Sequence, residues 1–243
     1  MNTLSLVSAI VSFGSALTTV LLGALFEARR RHGDRLEERR HRVSRYRDPL
    51  LQAAALLMGR LANAFNDPKG ENRFLLEDDD RHQEYVVYES AYRFAWYLGW
   101  VEIMYREARF LDLGSRRRNR RLLELLGGVG GAISRPIEGD QTFRLLGGEQ
   151  RALGELMTRP AVEGEDRLRC LGYIEFHTRM ATDPEFKRWF EPLLRDIARF
   201  AADRESGRPR LVEVHNALLN LINFLDPKAV WVVGLERREP LSG

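Results

Sequence analysis

Five arginines stand within six residues, Arg116, Arg117, Arg118, Arg120 and Arg121, in the stretch FLDLGSRRRNRRLLELL. Guanidinium groups at that density suit a phosphate, an anionic lipid headgroup or an acidic protein surface, since each presents a planar fork of donors to oxygen anions. On a helix these five point around the circumference, so they form a collar and not a single fork. The plainest expectation is a solvated or internally paired collar; headgroups come next, and a phosphate or acidic protein partner third. Nucleic acid is disfavoured, because the aromatics precede the cluster instead of interleaving with it and no recognition signature accompanies them.

The remaining chemistry-bearing residues are sparse. Cys170 is the sole cysteine, which excludes an internal disulfide and a cysteine metal cluster. Cys170 and His177 lie seven apart, so on a common helix they stand ~10.5 Å apart along the axis, too far for proton transfer. Glu38 and His41 form a lone ExxH inside an arginine-rich run that repels cations. The acidic run Glu77, Asp78, Asp79, Asp80 lacks the glycine and distal glutamate of a calcium loop and better suits the positive end of a helix dipole. In LLGGVGGAIS, Ile133 stands where a dinucleotide fingerprint needs its third glycine, and no Gly-Lys-Ser/Thr follows, so the glycines read as a helix stop and turn. No GxSxG elbow occurs. Asn216, Asn220 and Asn223, with His215 and Glu213, form a polar strip that fits a buried network, a solvent face or a ligand contact. No catalytic residue, cofactor or metal ligand is predicted, and the chain is not read as an enzyme.

The elements that would carry these residues follow from composition and punctuation. The 243 residues are 44% hydrophobic and 30% charged with a net charge of +3, which suits one domain and an accessory segment. Thr3 to Phe26 contains no charged residue over 24 positions, enough at ~1.5 Å per residue to cross a ~30 Å hydrocarbon core. No Lys or Arg precedes this run, whereas Arg29, Arg30, Arg31 and six more arginines follow it by Arg47. The positive-inside rule then predicts a single-pass plasma-membrane protein with its N terminus outside and the rest cytoplasmic, Arg29–Arg31 meeting anionic headgroups. Ser8, Ser12, Ser15, Thr19 and Gly23 recur along one face, which fits either a homo-oligomer, since small residues let two helices approach in lipid, or hydroxyls simply tolerated and bonded back to their own helix.

Beyond the span, residues 27–47 read as a basic helical stalk, 48–235 as a helical domain and 236–243 as a tail. Asp48-Pro49 reads as the cap of a helix to about Phe65. An aromatic helix runs from about Asp80 to Asp112, with Glu89–Arg93 and Glu102–Arg106 at ion-pair spacing that argues against a second span. Further helices are expected over Asp140–Thr158, Glu163–Thr182, Pro184–Arg204 and Arg210–Leu225, with Asp183-Pro184 the clearest start. The stretch AVWVVG, 229–234, reads as a short strand or an apolar tail. The predicted fold is all-α: one N-terminal transmembrane helix followed by a cytoplasmic multi-helix bundle. The predicted function is that of a bacterial-type membrane-anchored adaptor, regulator or sensor acting on an unidentified protein partner. An oligomerising membrane effector, and a binder of phosphate, nucleic acid or anionic lipid through Arg116–Arg121, are the alternatives.

Overall fold

The computed structural model describes Glu27 and residues 44–65, 80–107, 115–162, 167–232 and 239–241. The chain divides into two units, Met1–Ser44 and Arg45–Gly243. In the first, Glu27 is helical and exposed. The second is a mostly helical bundle. Its helices are α1 (residues 45–65), α2 (Asp80–Glu107), α3 (Arg116–Ser134), α4 (Gly147–Leu156), α5 (Tyr173–Thr182), α6 (Pro184–Ala202) and α7 (Arg208–Leu225). Between α4 and α5 a two-stranded antiparallel hairpin, β1 (Thr158–Pro160) and β2 (Leu168–Cys170), pairs Thr158 with Cys170 and Pro160 with Leu168.

The aromatic helix α2 is the central member and touches α4, α5, α6 and the hairpin, while α3 packs on α7. Its apolar residues fall on several faces, so Phe94, Tyr97, Leu98 and Ile103 are all buried. Phe176 of α5 meets Phe186 and Phe190 of α6 at ring-centroid distances of 5.8 and 5.2 Å. The charges that argued against a membrane span are paired as their spacing requires: Arg93 with Glu89, and Arg106 Nε with Glu102 Oε1 at 2.6 Å. Tyr46 Oη donates to Glu107 Oε2 at 2.8 Å and ties α1 to the end of α2.

Among the described residues no helix is long and apolar enough to cross a membrane. The expected span Thr3–Phe26, its face Ser8, Ser12, Ser15, Thr19 and Gly23, and the collar Arg29, Arg30 and Arg31 lie outside the described residues.

Several expected boundaries move, each for a local reason. The start of α6 stands as expected, with Asp183 Oδ1 accepting from the Phe186 amide at 3.0 Å and Pro184 opening the helix. Asp48 caps nothing, because the chain is already helical at Arg45 and continues through Pro49. The helix expected from Asp140 begins at Gly147, since Asp140 instead accepts from the amides of Thr142 and Gly207, both at 2.8 Å, and Phe143 takes φ 59°. The helix expected from Glu163 gives way to β2 and a helix starting at Tyr173, where Glu175 Oε2 accepts from the Gly172 amide at 3.3 Å. The GGVGG stretch does not stop α3, which continues to Ser134. After Asp226 the chain is neither strand nor helix through Val232, because the Asp226 carboxylate collects the amides of Val230, Trp231 and Val232.

One buried cation closes the bundle. Arg210 is 0% exposed, and its guanidinium donates to the carbonyls of Ala132, Ile133 and Arg135 at the end of α3 and of Asp140 and Thr142 in the loop beyond. The last carbonyls of a helix have no partners within it and carry the negative end of its dipole, so a fork of five N–H donors satisfies both needs. Replacing Arg210 by methionine keeps the volume and strands those carbonyls. We expect a loss of about 3–5 kcal/mol of stability, read as a lowered urea midpoint at unchanged slope.

Candidate functional site: a glycine-floored cleft on helix α3

Helix α3 begins at Ser115, whose Oγ accepts from the Arg118 amide at 3.2 Å. Its buried stripe, Leu122, Leu125, Leu126, Val129, Ala132 and Ile133, follows helical spacing straight through the glycines and seats the helix in the bundle. Packing therefore outweighs a propensity penalty of about 1 kcal/mol for each helical glycine relative to alanine. The chain itself makes little use of those glycines. A Cβ at Gly127, Gly128 or Gly131 would meet nothing within 4 Å, and one at Gly130 would meet only Gln150 Oε1, at 3.1 Å.

Gly127 and Gly130 line a cleft of about 580 Å³ between α2, α3 and α4. This size lies within the usual range for small-molecule sites. Tyr97, Leu98, Val101 and Tyr105 form the α2 wall, Gly127 and Gly130 the floor, and Gln150 and Arg151 the α4 wall. The α2 and α4 walls are locked together by a direct backbone approach: a Cβ at Gly154 would stand 2.8 Å from the Leu98 carbonyl oxygen.

The polar groups of the cleft are incompletely satisfied. Tyr97 is 1% exposed, burial pushes its pKa well up so that it stays protonated, and its hydroxyl has no hydrogen-bond partner among the described residues. Glu102 is 3% exposed; its Oε1 accepts from Arg106 Nε at 2.6 Å, while among the described residues its Oε2 faces Arg151 Nε at 3.6 Å, beyond hydrogen-bond distance. Glu155 Oε1 completes the network, 3.1 Å from Arg106 Nη2 and 3.6 Å from Arg151 Nε. Gln150 is pinned by its Nε2, which donates to the carbonyls of Gly130 at 3.0 Å and Leu145 at 2.8 Å. Its Oε1 accepts no hydrogen bond among the described residues. Tyr105, half-exposed at the rim, has its pKa raised by burial and by the Glu102 charge. A phenol, a carboxylate, an amide and a guanidinium thus converge on apolar walls, an arrangement suited to holding a small molecule.

The residues singled out from sequence lie elsewhere. Arg116, Arg117, Arg118, Arg120 and Arg121 are exposed on the first turns of α3, with no acidic residue in the first turn to offset the dipole. Glu124 pairs with Arg121 at 3.3 Å and with Arg120 at 3.9 Å, and the Arg118 guanidinium stands 5.9 Å from the Phe224 ring centroid. Arg116 and Arg117 have no carboxylate within 4 Å among the described residues. Cys170 is on β2 and shares no helix with His177; burial pushes its thiol up to about 12. His177 is exposed between the rings of Tyr88 and Tyr173, at centroid distances of 5.7 and 6.0 Å. Asn216 grips the backbone of Leu241, donating from Nδ2 at 3.0 Å and accepting at Oδ1 at 2.9 Å, while Asn220 and Asn223 are exposed. Glu38, His41 and the side chains of Glu77–Asp80 lie outside the described residues. Among the described residues no group of three or more His, Cys, Asp or Glu could hold a metal ion. No family model, no curated protein and no solved structure matches the chain.

The glycines divide by what stands beside them. Gly127→Ala and Gly131→Ala should each stabilise by about 1 kcal/mol, a rise of ~2–4 °C in midpoint by thermal denaturation. Gly154→Ala, which drives a methyl into the Leu98 carbonyl, should lower it instead.

Proposed function

We propose that this protein is a membrane-tethered binding module: its helical domain takes a small molecule into the cleft and acts on partners as a sensor or regulator, without catalysing a reaction. The cleft carries this reading. The helix keeps glycine at both floor positions, Gly127 and Gly130, at a cost of about 2 kcal/mol, and beside Gly127 no atom of the described residues fills the space a side chain would take. A contribution of that size is a sizeable part of a domain's net stability and calls for an occupant from outside the chain. The tether rests on the uncharged run Thr3–Phe26 and the arginines that follow it.

Native mass spectrometry of the full-length protein, extracted mildly from the membranes in which it is produced, tests the binding role. A small-molecule adduct in the wild type that disappears in Gly127→Leu is expected. A bare wild type, or an adduct that survives the substitution, would sink the reading. Alkaline carbonate extraction tests the tether: the full chain should stay in the pellet and a deletion of residues 3–26 should be released.

A second reading is favoured by Arg116 and Arg117, which have no carboxylate within 4 Å among the described residues and stand at the positive end of α3. They suit an anionic surface. If that is their role, Arg116→Gln/Arg117→Gln should weaken sedimentation with phosphatidylserine vesicles several-fold at 0.05 M salt and much less at 0.5 M, because screening removes the attraction. Equal sedimentation by wild type and variant at low salt would end this reading.

A further inference from the structure

We propose that the cleft on α3 takes a small cation with a flat apolar body: an amidinium, a guanidinium or a protonated amino-heterocycle. This rests on the cleft being a ligand site, and it names the class of ligand.

Three polar groups lining the cleft define the complement. Among the described residues Glu102 Oε2 and Gln150 Oε1 accept no hydrogen bond, and the buried Tyr97 hydroxyl has no partner. An unpaired buried hydroxyl costs free energy, and an occupant bearing N–H donors can pair with it and with both acceptors. Charge favours the same class. Glu102 is 3% exposed, whereas Arg151, the guanidinium on the same wall, is 67% exposed and already lies between Glu102 and Glu155. The less solvated charge acts through the lower dielectric and is screened least. An anion entering toward Arg151 is therefore brought against a buried carboxylate. Tyr97 and Tyr105 also line the cleft, and aromatic rings are favourable neighbours for a delocalised cation. The bare backbone at Gly127 and Gly130 leaves room for a flat body to lie on the helix without meeting a side chain.

Arg151 serves as the resident stand-in. Its Nε lies 3.6 Å from both Glu102 and Glu155, and an arriving amidinium displaces it from Glu102 while Glu155 retains it.

The test titrates full-length protein in mild detergent, by calorimetry, with benzamidine as its amidinium, with neutral benzamide and with benzoate, three probes of one size. Benzamidine is expected to bind with a dissociation constant below about 1 mM, benzamide more weakly, and benzoate at least ~10-fold more weakly. Glu102→Gln should weaken benzamidine about 10-fold or more, Tyr97→Phe several-fold, and Gly127→Leu should abolish binding. Glu102 also holds Arg106, but Tyr97→Phe and Gly127→Leu remove no internal hydrogen bond and keep the test readable if Glu102→Gln does not fold. Benzoate binding as tightly as benzamidine, benzamidine binding that is indifferent to Gly127→Leu and Tyr97→Phe, or no binding by any probe would each overturn the assignment. Benzoate binding that Gly127→Leu abolishes would overturn the charge of the ligand and leave the cleft standing as a site.

Discussion

The guanidinium of Arg210 is the contact on which the rest of the architecture depends. It sits where the carbonyls at the end of α3 meet the loop to α4, and its donors bind backbone on both sides of that corner. Asp140 works from the same corner, joining the loop to Gly207 at the start of α7. With Ser115 capping the other end, α3 is fixed at both termini and along its seam on α7. A helix held in that way tolerates a glycine-rich middle that would fray in isolation. The bare floor of the cleft is thus a consequence of a charge buried at one end of the helix.

Helix α2 holds two buried carboxylates in different surroundings. Glu89 lies between helices: Arg93 follows it by one turn, and Arg60 of α1 brings its Nε to 3.2 Å from Oε2, although that oxygen accepts no hydrogen bond among the described residues. Glu102 has the same partner one turn on, but its second oxygen meets only an exposed arginine at 3.6 Å. The first carboxylate joins two helices. The second lies beside an opening.

The parts of this structure that can be read from sequence are those in which local chemistry and packing agree. Asp183-Pro184 opens α6 because cap, proline and apolar spacing all favour the same start. The i, i+4 pairs on α2 were legible for the same reason. Where one contact from a distant element decides, reading along the chain fails. Asp140 looks like a helix cap but is drawn off by the Gly207 amide. The strands Thr158–Pro160 and Leu168–Cys170, three residues each, are too short for any alternation to show. The glycines of α3 read as a stop because propensity says so, although Leu126, Val129 and Ile133 keep helical spacing across them and carried the opposite signal. The cleft itself was out of reach, since Tyr97, Gly127 and Gln150 come together only through the packing of three helices. Glu102 was noticed solely as half of an ion pair.

The direct approach of Gly154 to the Leu98 carbonyl has a mechanical consequence. With no side chain between them, α2 and α4 have no slack to take up, so the walls they form cannot spread. The third wall, α3, is held at both ends and packs along α7. A helix is a stiff rod, and the arginines occupy the first turns of this one while the glycines lie in its second half. The cleft floor and the five positive charges are thus parts of one rigid element, so neither can be re-aimed without the other.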